Sequence, residues 1–221
     1  MLGFDSPIYT VSALALLVLA VFGLYEIFGL LRHRNFLEHK DFMVLSLDQT
    51  KLGMSIRDFI QSIRPPFTFE IAVHQIGKRV NYYLVMPRER AQSLVGLGGI
   101  SEAQDYALFH PGGEHVGLYL KGDSQWPKVD LSKIDFSKVN EVGEGVVVQF
   151  VFGRRHSKQL GVNFRILVSA PSSFQAKEIV MAIKPAFSEY TLVESASDEF
   201  LHRVSYREFN RAEEALWRAA S

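Results

Sequence analysis

The rhythm of apolar and polar positions changes along this chain, and each change marks an expected element. From Ile8 to Leu31 there is no rhythm: the run is apolar, lacks Lys and Arg, and holds one carboxylate, Glu26. As a helix it spans roughly 36 Å, enough to cross a hydrocarbon core with some tilt. The leading MLGFDSPIYT has no basic n-region, so an uncleaved anchor is expected ahead of a cleaved signal peptide or a buried helix.

Beyond the run the pattern becomes that of a folded α+β domain. Phe42–Leu47 reads as a strand, and Met54–Ile63 as a helix with Ile56, Phe59, Ile60 and Ile63 on one face and Ser55 as a cap. Pro65-Pro66 stops that helix. Phe67, Phe69, Ile71 and Val73 alternate with Thr68, Glu70, Ala72 and His74, a turn falls near Gly77-Lys78, and Val80–Met86 returns. Pro87 ends this hairpin and Arg88–Leu97 is expected as a second helix, giving the β-α-β-β-α order of a ferredoxin-like unit.

Gly96–Asn140 is less regular, with one strand expected at Val116–Leu120. A second unit follows. Val146–Phe152 reads as a central strand, Gly153–Leu160 as a basic loop and Val162–Ser169 as the partner strand. A helix then opens at Pro171–Ser173 and is kinked or broken by Pro185, and Tyr190–Val193 returns as a strand. Asp198–Ala220 reads as one amphipathic helix with Leu201, Val204, Phe209, Ala212 and Leu216 apolar and Glu214 paired with Arg218. The expected organisation is therefore a transmembrane helix at residues 8–31, ferredoxin-like units with antiparallel sheets at 42–120 and 146–195, a linker at 121–145, and a helix at 198–220.

Charge sets the orientation. Only Asp5 precedes the apolar run, whereas Arg32, His33, Arg34 and Lys40 follow it, so the N-terminus is expected outside and the folded part on the cytoplasmic side of an inner (plasma) membrane. The absence of cysteine agrees with a reducing compartment. Basic and acidic residues number 24 each, so any attraction to nucleic acid or anionic lipid must come from a local patch.

Candidate patches are few. Arg154, Arg155, His156 and Lys158 form a basic contact patch suited to nucleic-acid phosphate, lipid headgroups or an acidic partner, set against the plainer reading of a solvated hairpin tip. Phe200, Leu201, Phe209 and Trp217 are the candidate partner-contact residues of the C-terminal helix. The stretch from His110 to His115 has two imidazoles and a carboxylate but no metal-binding spacing, and Gly96–Gly99 reads as a helix-ending turn. No catalytic residue, cofactor site or metal site is assigned.

Three stretches carry a resemblance: FTFEIAVHQIGKRVNYYLVMP (Phe67–Pro87), EGVVVQFVF (Glu144–Phe152) and FRILVSAPSSFQAKEIVMAIKPAFSEY (Phe164–Tyr190), with Trp126-Pro127 between the units. Together they resemble the membrane-proximal region of conjugation-type, type IV secretion-like bacterial ATPases. The P-loop pattern G-x-x-x-x-G-K-[ST] of the motor domain occurs nowhere in the chain. The resemblance implies a membrane-anchored, non-catalytic docking or assembly module that contacts lipid and forms a homo-oligomer or an assembly with a separate translocation ATPase. The alternative expectation is a membrane-tethered ligand-sensing or regulatory domain.

Overall fold

The computed structural model describes residues 16–24, 41–74, 80–106, 112–121, 134–156 and 159–218. The chain divides into Met1–Glu38 and His39–Ser221. In the first unit the described residues 16–24 form a helix, α1, whose Leu16, Leu17, Val18, Leu19, Val21, Phe22 and Leu24 are all exposed. Among the described residues no helix is long and apolar enough to cross a membrane. The remainder of the expected span, Ile8–Leu31, lies outside them.

The second unit is mixed α+β, built on a nine-stranded antiparallel sheet. Its first half holds β1 (Phe42–Leu47), α2 (Ile56–Ser62), β2 (Phe67–His74), β3 (Val80–Pro87), α3 (Arg88–Gln92) and β4 (Ile100–Ala103). Its second half holds β5 (Glu114–Leu120), β6 (Gly145–His156), β7 (Gln159–Ala170), α4 (Ser173–Ile183) and β8 (Leu192–Ser195). A tail follows: α5 (Asp198–Ser205), a 3-10 turn at Arg211–Glu213 and β9 (Ala215–Arg218). Local chemistry sets several boundaries. Ser55 Oγ accepts from the Asp58 amide at 3.1 Å, and Ser172 and Ser197 cap α4 and α5 in the same way.

Both halves repeat one strand order. The sheet runs β4-β1-β3-β2-β6-β7-β5-β8, so each half has its fourth strand outside, then its first, third and second. The halves meet through β2 and β6, which pair antiparallel with Phe67 opposite Phe152 and Glu70 opposite Gln149. A pseudo-two-fold axis through the Glu70–Gln149 pair relates them. It carries Met43, Leu45 and Leu47 onto Val116, Leu118 and Leu120, and β4 onto β8. One apolar core lies on the helical face. There Phe67 stacks on Phe152 at 4.5 Å, and Phe150, Phe164 and Phe187 follow in a chain with 5.1 Å between centroids.

The structure corrects several expectations. The strand expected at Val116–Leu120 closed the first unit, yet β5 pairs with β7 and β8 and opens the second half. The missing fourth strand of the first half is β4, a four-residue element that follows the glycine turn. The Gly153–Leu160 loop is mostly strand, because β6 continues to His156 and β7 begins at Gln159. The C-terminal helix stops at Ser205, and the rest of that segment turns back to pair with β7 as β9.

The tail breaks the symmetry. It crosses the sheet face opposite the helices, where Phe200 and Val204 pack on Leu167 beside Tyr119. Gly117 of β5 lies beneath Phe200, and an added Cβ would sit 2.0 Å from the Phe200 ring and 2.5 Å from the Ser195 carbonyl. The equivalent position in the first half is the buried Val44. Gly117→Ala is therefore expected to destabilise the fold by about 1–3 kcal/mol through overpacking, measured by urea unfolding. A neutral result would show that α5 lifts freely from the sheet.

Candidate functional site: a buried ionic seam beneath the tail

On the face opposite the helices one cross-strand row is polar across most of the sheet. From β4 to β8 it reads Ser101, Ser46, Tyr83, Glu70, Gln149, Arg165, Tyr119 and Val193. Its central members, Glu70, Gln149 and Arg165, are fully buried. A buried carboxylate is tolerable only when paired and hydrogen-bonded, so the partners of Glu70 decide what this row is.

Those partners come from separate parts of the chain. Glu70 Oε1 accepts from Arg207 Nε at 2.9 Å and from Gln149 Nε2 at 2.8 Å. Oε2 accepts from the Tyr106 hydroxyl at 2.7 Å and from Arg207 Nη2 at 3.3 Å. Arg207 Nη2 also donates to Asp105 Oδ1 at 2.8 Å, and Tyr106 stacks on Tyr83 with centroids 4.5 Å apart. Asp105-Tyr106 and the tail thus close over Glu70 from two sides.

The backbone bends to make this closure. Arg207 has φ of 55°, the left-handed region that favours glycine. Its amide donates to the Val204 carbonyl and the Glu208 amide to the Arg203 carbonyl, the hydrogen-bond pattern of a Schellman C-cap. A glycine would fill this position without strain, but it would carry no guanidinium.

A second cluster fixes the tail further along. The Arg165 Nε donates to Glu213 Oε2 at 2.9 Å, and Glu213 also takes Arg203 Nη2 at 3.2 Å. Asn163 and Asn210 exchange two bonds, Nδ2 to the Asn210 carbonyl at 2.7 Å and the Asn210 amide to Asn163 Oδ1 at 2.6 Å. Gln149 Nε2 also reaches the Val204 carbonyl at 3.0 Å, while its Oε1 is buried with no donor among the described residues.

Electrostatics separate the two arginines. Burial works against the charge of Arg207, but Glu70 and Asp105 outweigh it and raise its pKa. Burial dominates at Arg165 and lowers its pKa, with Glu213 opposing. Burial, reinforced by the neighbouring Glu70, raises the Tyr106 phenol well above its ordinary value. Glu70 is ringed by donors and shut from solvent, and through them it ties β2 to β6 and to the tail.

The residues singled out by sequence fall elsewhere. Arg154 is engaged by Glu214, with Nε donating to Oε1 at 2.9 Å, rather than lying on an open loop. Arg155 and His156 occupy strand positions of β6, and Lys158 lies outside the described residues. Phe200 is wholly buried in the chain's own core, Leu201 packs beside it, Phe209 lies over Gly153, and Trp217 pairs with Leu160 in β9. These four share no helix face, because the helix that was to carry them ends before Phe209.

His110 lies outside the described residues, and among those described no group of His, Asp and Glu is placed to hold a metal ion. The glycine turn spends its amides locally, Gly96 donating to Ile100 and Ile100 to Leu97. Sequence reading passed over Glu70, Tyr106, Gln149, Arg165, Arg207 and Glu213. The signal for two of them was present: Gln149 and Arg165 each fall within an apolar strand, whereas Glu70 sits on the polar phase of an alternating one and reads as solvent-facing. No family model, curated protein or solved structure matches the chain.

Removing one partner of the buried pair leaves the other uncompensated, so Arg207→Ala and Glu70→Ala are each expected to cost about 3–5 kcal/mol in chemical denaturation. Arg154→Ala, at a half-exposed pair, is expected to cost about 1 kcal/mol or less. Equal losses at the two sites would remove the seam's special standing. Tyr106 supplies a pH test. Its folded pKa lies above the unfolded value, so its stabilisation is intact below about pH 10 and lost as pH climbs beyond it. Ultraviolet titration of the eight tyrosines should show one phenol ionising only as the protein unfolds, and Tyr106→Phe should remove that phase.

Proposed function

We propose that this chain is a membrane-anchored, non-catalytic assembly module of a translocation system of the type IV secretion or conjugation kind. The observation that carries the reading is the apolar run Ile8–Leu31 joined to a domain whose buried ion pairs, Glu70 with Arg207 and Arg165 with Glu213, tie its own strands to its tail. The strand order of each half is that of a ferredoxin-like unit, in keeping with the resemblance of Phe67–Pro87 and Phe164–Tyr190 to membrane-proximal regions of secretion ATPases.

The polar chemistry supports an architectural role. A catalytic acid or base needs access to substrate, whereas Glu70 and Arg165 are closed in by tail and sheet. A P-loop, which would hold nucleotide phosphates, is absent from the sequence. The rival sensing role calls for a cleft between the halves. Here the halves share a continuous ladder from Phe67–Phe152 to His74–Gly145, which favours one rigid platform over two jaws. Its outer strands, β4 and β8, are short and pair with no further strand among the described residues, so their outer edges are where a partner strand would add.

Residues 39–221 form a compact unit, and made without the preceding segment they are expected to be soluble, with the circular dichroism of a mixed α+β protein. The full chain is expected to stay with membranes through alkaline extraction and to leave its C-terminal part accessible to protease only in inverted vesicles. Recovery of the full chain in the aqueous phase would end the anchored reading. ATP hydrolysis above background, abolished by one substitution, would end the non-catalytic one.

A further inference from the structure

We draw no further inference here: the strongest candidate, the exposed apolar ridge of Phe174 and Met181 on the face of α4 turned away from its buried Ala176, Ile179, Val180 and Ile183, is an unpartnered helix face, and nothing among the described residues shows what covers it.

Discussion

A carboxylate with no access to water sits at the centre of this sheet, and the rest of the second unit is arranged to make that bearable. Left alone, Glu70 would carry a desolvation penalty of several kcal/mol. The tail supplies the opposing charge through Arg207, at a residue forced into left-handed backbone conformation. That conformation costs an L-residue roughly 1–2 kcal/mol, less than the penalty of an orphaned buried charge. The balance explains why an arginine stands where helix-capping geometry alone favours glycine.

The same interaction accounts for how the pseudo-symmetry is broken. Two halves with one strand order, paired through equivalent edges, would leave equivalent faces to cover. Glu70 and Gln149 lie on the axis as counterparts, one charged and one neutral, so the pair needs one guanidinium rather than two. Tyr83 and Arg165 are counterparts one strand further out. Tyr83 receives the Tyr106 ring, and Arg165 receives Glu213 of the tail. Covering the second half requires room for Phe200, which is why Gly117 replaces the bulk that Val44 provides in the first half.

Local pattern made much of the fold legible. The Phe67–His74 hairpin arm, the Ser55 cap and the apolar heart of β6 and β7 follow from alternation and capping chemistry, which act over a few residues. What was not legible depended on pairing at a distance. Nothing local in Val116–Leu120 says that its partners are Leu192–Ser195 and Arg165–Ala170 rather than the first hairpin. The end of α5 was hidden for a different reason. Its C-cap carries Arg207 instead of glycine, so apolar periodicity appeared to run on through Phe209 and Leu216. The seam itself was half visible, as Gln149 and Arg165 within mostly apolar strands, but its common row appears only once the strands are in register.

That row also bears on how the molecule acts. Ionic clusters saturated by their own chain gain little from a ligand, since a new partner must displace hydrogen bonds already made in a dry environment. Such clusters are better suited to fixing one arrangement of strands than to sensing. A platform fixed in this way keeps constant directions between its chain entry at Phe42 and its outer strands β4 and β8. Constant directions are what an assembly subunit needs, because symmetric contacts between copies close only when each subunit presents its surfaces at a reproducible angle. A tail able to lift from the sheet would blur that angle, so the buried Glu70–Arg207 pair and the function proposed for the chain depend on the same rigidity.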